Sequence, residues 1–249
     1  MAALRASETG AGRLTIIIFA RAPVPGKVKT RLIPAVGAKM ASALAHAFNL
    51  DALRKVSALR QRLVVCGLGR KSYFERLASP YEALIVGQAS GDLGRRMAKA
   101  LEPWCREGAI LLGTDTPSLP PDHLKRAIEL LSIAPVVIGP SFDGGYYLIG
   151  VRGPLPDIFE KMEWGTETVL ENTLSRLRSR SVPFELAPPW YDIDTKDDLE
   201  RLVADLRRLA SYSIKSGEIL SLNQSAEISA FSPNPCPATT AVLQRMGLL

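Results

Sequence analysis

Four cationic side chains crowd the segment that follows the first apolar run of the chain. Arg21, Lys27, Lys29 and Arg31 lie within eleven residues. A lysine offers a mobile point charge and an arginine a planar fork, so together they can surround a di- or triphosphate. The alternative is an exposed basic loop, but α/β folds commonly bind phosphates directly after such a strand. The segment contains neither GxxxxGKS/T nor GxGxxG, so it is neither a Walker loop nor a dinucleotide fingerprint.

A single aspartate, Asp115, follows the fourth apolar run. A carboxylate at the end of a buried strand is costly unless it caps a helix or binds a cation. Asp115 lies too far before the helix predicted to begin at Pro121 to be its obvious cap. Mg²⁺ and Mn²⁺ are hard ions that take one or two carboxylates together with substrate phosphates. We therefore predict that Asp115 is a catalytic metal ligand, the alternative being a turn-forming aspartate near a proline.

Two further acids, Asp192 and Asp194, are separated by one residue in segment 190–195. We expect this segment to be extended and the two carboxylates to point to opposite faces, so that only one of them reaches the metal. The other would cap the following helix or pair with a cation. Thr195 is a second candidate for the cap, and in that case both acids would be free.

Glycines mark two other loops. In Asp143-Gly144-Gly145, the paired glycines allow positive φ and close approach of the backbone to a ligand, although Asp-Gly is also a common hairpin turn. Asp92 and Gly94 lie where a helix is predicted to begin, and the N–H groups of a helix start suit a base or a phosphate. A helix capped by Asp92 is an equal alternative for that segment.

Apolar runs alternate with amphipathic segments along the chain. This alternation predicts an α/β fold with a single, mainly parallel sheet flanked by helices. Ligands of such sheets bind beyond the carboxyl ends of the strands, where the loops described above lie. Strands are predicted at residues 14–20, 62–67, 83–87, 109–113, 135–139, 146–151 and 182–187. Helices are predicted at residues 39–59, 93–104, 121–131, 166–178 and 195–209, with a short one at 238–246.

Composition narrows the classes of partner. Apolar residues make up 47% of the 249, which is enough for a sizeable core. The net charge of +6 suits phosphorylated small molecules. Lysines and arginines are not clustered with aromatic residues as on a nucleic-acid surface, and no apolar run is long enough to cross a bilayer. We expect neither a nucleic-acid partner nor a membrane.

The chain is predicted to divide into three parts. Residues 1–13 lack the apolar core of a signal peptide and are predicted to be a flexible tail. Residues 14–210 would form the folded domain, and residues 211–249 a Ser/Pro-rich linker with a short C-terminal helix. Three widely spaced cysteines predict reduced thiols and a cytoplasmic protein.

An ordered set of segments carries a resemblance to a known family. The segments are FARAPVPGKVKTRL, GDLGRRM, LLGTDTPSLP, IGPSFDGGYYLIG, WGTETVL and PPWYDIDTKDDL. The chain resembles glycosyltransferase A-fold proteins, and among them the bacterial transferase family associated with radical-SAM and selenium-domain genes, often described as arsenosugar-biosynthesis glycosyltransferases. It is similar, more distantly, to phospholactate guanylyltransferases and molybdenum-cofactor nucleotidyltransferases.

The resemblance implies a nucleotide-binding transferase domain with Asp115 as the metal aspartate. Asp194, or else Asp192, would be the second ligand of Mg²⁺ or Mn²⁺. Two features depart from the related patterns. The signature GGxGxRM of the nucleotidyltransferases is replaced by the Pro-Gly-Lys loop, and the DxD of many glycosyltransferases is reduced to the single aspartate of TDT.

The expected function is transfer of a sugar from a nucleotide-sugar donor to a small acceptor, with a divalent metal. The acceptor would enter over Gly144, Gly145 and Trp164, although Trp164 could equally be a buried aromatic anchor. Asp143 would be either a base toward an acceptor hydroxyl or a structural residue. The first alternative is a nucleotidyltransferase that joins an NTP to a phosphorylated small molecule and releases pyrophosphate. The second is a non-catalytic nucleotide-binding protein.

Overall fold

The structure, a computed structural model, describes residues 13–220 and 234–249. Seven strands form one sheet in the order β3-β2-β1-β4-β6-β5-β7. The strands are β1 (Thr15–Arg21), β2 (Arg62–Leu68), β3 (Ala83–Gly87), β4 (Ala109–Gly113), β5 (Val136–Pro140), β6 (Tyr146–Val151) and β7 (Phe184–Leu186). All neighbouring pairs are parallel except the two that involve β6. The predicted mainly parallel α/β sheet is confirmed.

The central strands are apolar because both faces of the sheet are covered. Ile16, Ile17 and Ile18 of β1 are all but fully buried. Their side chains alternate between two cores, with Ile16 and Ile18 on one face of the sheet and Ile17 on the other. A parallel strand buried on both faces therefore has a continuous apolar sequence.

Helices flank this sheet. They are α1 (Ile33–Ser57), α2 (Lys71–Ala78), α3 (Leu93–Leu101), α4 (Pro121–Ile133), α5 (Val169–Ser179), α6 (Lys196–Leu220) and α7 (Pro237–Arg245). Gly37, at φ 77°, interrupts the first turns of α1. A third core joins α1, α6 and α7 and includes Leu44, Phe48, Leu202 and Leu243.

Three elements differ from the prediction. The short helix α2 was not predicted. Strand β6 is antiparallel to its neighbours, because the five residues between β5 and β6 allow a hairpin and are too few for a crossover. Helix α6 continues to Leu220, beyond residue 210, and no proline occurs between its first residue and Pro233 to end it.

The C-terminal helix α7 lies where a short helix was expected. The predicted tail over residues 1–12 and the part of the linker over residues 221–233 lie outside the described residues. The division of the chain into three parts therefore stays a prediction. In the part of the chain that the structure describes, no helix is both long and apolar enough to span a bilayer.

Candidate active site

The predicted phosphate loop and the predicted metal aspartate lie side by side because β1 and β4 are neighbouring parallel strands. Both loops leave the carboxyl edge of the sheet, where α/β folds bind ligands. A cavity of about 330 Å³ opens between them. Its charged lining consists of Arg21, Lys27, Lys29, Arg31, Arg96, Asp115 and Asp194.

Local backbone geometry directs the four predicted cations into the cavity. Gly26 has φ 81°, and Lys27 N donates to Val24 O at 2.9 Å, which turns the chain back after β1. Lys29 is itself left-handed, at φ 46°, and precedes a single 3₁₀ turn whose Leu32 is fully buried. Positive φ at a lysine is unfavourable. The buried Leu32 and the contacts of the lysine side chain hold it there.

Lys29 is bound to acids. Its Nζ lies 2.5 Å from Asp115 Oδ1 and 2.9 Å from Asp194 Oδ1, and it donates to Ile193 O at 2.8 Å. The side chain is 6% exposed. Burial alone would lower the pKa of Lys29, but the charges of Asp115 and Asp194 outweigh it and raise the pKa above its ordinary value. In this structure, Lys29 holds together the two carboxylates that were predicted to bind a metal.

The expectation that Asp192 and Asp194 point to opposite faces is wrong. Residues two apart in an extended segment share a face, and residues next to each other do not. Accordingly, Tyr191 and Ile193 are buried in the third core, and both aspartates lie on the side of Asp115. Ile193 N donates to Asp115 O at 2.8 Å, which holds the whole segment beside the metal aspartate.

Asp192 and Asp194 differ in environment. Ser141 Oγ donates to Asp192 Oδ2 at 2.8 Å. Burial, together with the negative charge of Asp115, raises the pKa of Asp192 to about 7. Asp194 is 40% exposed and lines the cavity. Concentrated negative charge of this kind favours a cation.

The start of α6 leaves both acids free of capping. Asp198 Oδ2 accepts from Thr195 N at 2.8 Å and from Thr195 Oγ1 at 2.7 Å, while Asp198 N donates to Thr195 Oγ1 at 3.3 Å. This reciprocal pair forms the cap of the helix. Of the two caps considered from the sequence, Thr195 is the one present.

The donor set fits a metal ion shared with a substrate. No group of three or more potential ligand side chains is arranged to hold an ion by itself within residues 13–220 and 234–249. Mg²⁺ and Mn²⁺ are commonly held by one or two carboxylates plus phosphate oxygens and water. Asp115 and Asp194 supply such a pair, and Lys29 shows that a cation is stable between them.

Two further residues that the sequence did not predict, Gln88 and Arg96, also line the cavity. Gln88 Nε2 donates to Ala20 O and Cys66 O, each at 3.0 Å, and Gln88 Oε1 accepts from Arg96 Nε at 3.0 Å. Burial and the charge of Arg21 lower the pKa of Arg96. Two guanidinium groups beside one cavity concentrate positive charge there. Arg96 belongs to the GDLGRRM segment, whereas the role of Gln88 had no signal in the sequence.

Asp92 and Gly94 have structural contacts and do not line this cavity. Asp92 Oδ1 accepts from Arg95 N at 2.8 Å and caps α3. A side chain at Gly94 would meet the carbonyl of Phe159 and the ring of Trp164. The cap considered for Asp92 is therefore present, and a contact of either residue with a nucleotide stays a prediction.

The predicted acceptor residues also make structural contacts. Asp143 Oδ1 accepts from Gly145 N at 3.0 Å. Gly144 has φ 85°, packs on the backbone of Glu167 and accepts at its carbonyl from Leu170 N at 2.8 Å. Trp164 meets Tyr146 edge to face, with ring centroids 6.4 Å apart. None of these lines the cavity between β1 and β4, so their roles toward an acceptor stay predictions.

Comparisons with known proteins found one family model and several similar structures. The family model DUF2064, described as an uncharacterized protein conserved in bacteria, matches residues 49–166. A structure from Desulfovibrio desulfuricans G20, described as a candidate nucleotide-diphospho-sugar transferase, is 30% identical with a TM-score of 0.74, over 94% of this chain and 96% of that one. No curated protein shows a significant match to this chain.

A more distant structure supports the fold alone. The 4-diphosphocytidyl-2C-methyl-D-erythritol synthase from Anaerococcus prevotii DSM 20548 is 14% identical, with a TM-score of 0.54 over 80% of this chain and 100% of that one. The similarity to the Desulfovibrio protein is higher in identity and extends over nearly the full length of both chains. The chain therefore belongs to the same family as that protein.

Proposed function

We propose that this protein is a nucleotide-using transferase, and specifically a glycosyltransferase that takes a nucleotide-sugar as donor. The observation that carries the proposal is one cavity that is lined both by arginines and lysines and by the aspartates Asp115 and Asp194. A metal-bound diphosphate needs both kinds of group at once. The description of the Desulfovibrio relative as a candidate nucleotide-diphospho-sugar transferase supports the same class.

The cations that line the cavity would bind the phosphates of the donor. Arg21, Arg96 and Arg31 offer planar forks that can bind phosphate oxygens in pairs, and Lys27 adds a mobile charge. A phosphate group between Arg21 and Arg96 would remove the repulsion between these two guanidinium groups. Binding of a nucleoside diphosphate should therefore be far tighter than binding of the nucleoside.

The aspartates that line the cavity would hold Mg²⁺ or Mn²⁺. Asp115 and Asp194 would be its protein ligands, with Asp192 behind them as the alternative second ligand. When bound, the ion would neutralise the charge that develops on the leaving phosphate. Lys29 now lies between Asp115 and Asp194, so it would have to leave when the ion enters. Its ammonium group would then be free to bind the donor's phosphates, as its sequence position predicts.

The acceptor side rests on the sequence prediction. Gly144, Gly145 and Trp164 would border the path of a small acceptor. Asp143 would either take a proton from its hydroxyl or keep the turn in shape. The free, buried thiols of Cys66, Cys105 and Cys236 agree with a reducing compartment such as the cytoplasm.

Two measurements test the proposal. A thermal-shift screen of nucleotides and nucleotide-sugars, with and without Mn²⁺, should identify a donor, because ligands of the native state raise its melting temperature. The purified protein is then incubated with that donor and candidate acceptors. Release of a nucleoside diphosphate supports glycosyl transfer, whereas release of pyrophosphate from an NTP would replace it with nucleotidyl transfer. A shift that does not depend on Mn²⁺ would refute the metal role, and no shift with any nucleotide under either condition would refute a nucleotide-using transferase.

A further inference from the structure

A buried pair of charges lies on α1, outside the cavity. Asp51 is 1% exposed and Lys55, one helical turn later, is 9% exposed. Buried charges are rare and are kept where each has a definite partner. Here the partners of the two residues belong to two segments that are far apart in the sequence.

Lys55 holds the loop that carries Asp115. Its Nζ donates to Pro117 O at 3.0 Å, two residues after the aspartate. The side chains on either side of the proline, Thr116 and Ser118, are buried as well. Together with the bond from Ile193 N to Asp115 O, this contact fixes the backbone that directly follows the Asp115 side chain.

Asp51 holds the start of the C-terminal helix. Its carboxylate accepts from Ala238 N at 2.9 Å, from Thr239 N at 2.8 Å and from Thr239 Oγ1 at 2.6 Å. The N–H groups of a helix start lack partners within the helix, so Asp51 caps α7 from outside. The negative charge of Asp51 also favours the charged form of Lys55.

We propose that Lys55 is a positioning residue for Asp115, and that the C-terminal helix α7 assists it through Asp51. The proposal rests on the proposed function in one respect, namely that Asp115 is a metal ligand. Lys55 would then hold this ligand in place through the backbone of its loop. Removal of the Lys55 ammonium group would leave Pro117 O without its donor and free the loop to move. The Asp115 carboxylate would then adopt the geometry for metal binding in a smaller fraction of molecules, and metal affinity would fall.

The test compares Lys55→Met, which keeps most of the side chain's volume, with Arg54→Met, an exposed neighbour on the same helix. Hydrogen exchange is followed at the amides of Leu119 and Ile193, whose acceptors are Thr116 O and Asp115 O. Lys55→Met should speed exchange at these two amides about tenfold and leave the β1 amides unchanged. Arg54→Met should change neither group. Unchanged exchange at Leu119 and Ile193 in folded Lys55→Met would overturn the proposal.

Calorimetry with Mn²⁺ and a nucleoside diphosphate gives the functional readout. Lys55→Met should weaken Mn²⁺-dependent binding about tenfold and leave metal-free nucleotide binding unchanged, while Lys55→Arg should restore part of the loss. Equal losses with and without metal would also overturn the proposal. Exchange requires no ligand, so it tests the positioning role even if the wild-type protein binds no nucleotide.

A milder variant covers the case in which Lys55→Met does not fold. Thr239→Val removes one donor to Asp51 and keeps the shape of the side chain. It should speed exchange at Leu119 and Ile193 by about threefold. Wild-type exchange in this variant would remove α7 from the proposal. Lys55→Gln, which has no charge, is compared with Lys55→Arg, which keeps it. If both variants showed the hydrogen exchange and the Mn²⁺ binding of the wild type, the positioning role of the ammonium group would be excluded.

Discussion

Lys29 determines the balance of charge in the candidate site. Its ammonium group lies between the carboxylates of Asp115 and Asp194 and has little contact with solvent. A divalent ion bound by the same two carboxylates would need the same place. In the proposed site, metal and Lys29 would therefore compete in the absence of nucleotide, whereas phosphate would offer the displaced lysine a new partner.

Because of this competition, removal of the Lys29 charge should change the affinities for Mn²⁺ and for nucleoside diphosphates in opposite directions. Lys29→Met should bind Mn²⁺ alone about tenfold more tightly than the wild type, equivalent to about 1.4 kcal/mol, and should bind nucleoside diphosphates more weakly. Arg31→Met, from the same loop, should weaken the diphosphates and leave Mn²⁺ binding unchanged. Calorimetry with each ligand separately measures both effects. Weaker Mn²⁺ binding in Lys29→Met would mean that the lysine organises the acids and does not compete with the ion.

Asp115 can be tested without loss of the fold. Its side chain is 50% exposed, and without it the buried Lys29 keeps Asp194 and Ile193 O as partners. Asp115→Ala should therefore lower the free energy of unfolding by about 1.5–3 kcal/mol, the contribution of one hydrogen bond to a charged group. Mn²⁺-dependent nucleotide binding should fall below detection in calorimetry. Asp122→Ala, which breaks an exposed ion pair with Lys125, is the matched control. Wild-type affinity in Asp115→Ala would remove it from the metal site.

At the scale of elements, local patterns predicted most of the architecture. Continuous apolar runs predicted β1 and β4, because a strand between two helical layers must be apolar throughout. The direction of β6 was not predicted, since an apolar run is the same for parallel and antiparallel pairing. Gln88 was missed for a related reason. Its role comes from the meeting of β1, β2 and α3, which no local pattern in the sequence records.

The position of the loop before α5 depends on one glycine. Gly144 combines positive φ with direct packing on the backbone of Glu167. Gly144→Ala should therefore destabilise the protein by about 2–3 kcal/mol, through strain and overpacking together. Gly165→Ala has nearly the same φ but no atom within 4 Å of an added Cβ. Urea unfolding should show a clearly smaller loss of unfolding free energy for Gly165→Ala than for Gly144→Ala. Equal losses would mean that backbone strain alone causes the destabilisation and that the contact with Glu167 contributes nothing.

At the scale of the whole molecule, the C-terminal helix α7 is connected through α1 to the loop that carries Asp115. Helix α7 shares the third core with α1 and α6, and α1 also reaches the Asp115 loop through Lys55. The sequence predicted a short helix at this place. Its connection to the site was not predictable, because Asp51 and Lys55 have the spacing of an ordinary i, i+4 pair on a helix surface. Only the fold reveals that both are buried.

Because Lys55 is buried, the free energy of unfolding should change with pH in the alkaline range. Burial lowers the pKa of Lys55 to about 8, against the opposing charges of Cys236, when ionised, and Asp51. His123 also faces Lys55, and burial lowers its pKa, so it is neutral at this pH. Between about pH 8 and the ordinary lysine pKa of 10.5, the unfolded chain binds more protons than the folded one. The contribution of Lys55 to stability therefore rises with pH in this window.

Lys55→Met lacks this titration, so the comparison isolates it. The free energy of unfolding of the wild type minus that of Lys55→Met should rise by about 2 kcal/mol between pH 7.5 and pH 10, since each unit of pKa shift corresponds to about 1.4 kcal/mol. Urea unfolding at constant ionic strength measures the difference, and other titrating groups contribute equally to both proteins. The corresponding difference for Arg54→Met should stay constant over the same range. A constant difference for Lys55→Met as well would mean that Lys55 stays protonated over the whole range. In that case the charge of Asp51 would stabilise the protonated form by more than burial destabilises it.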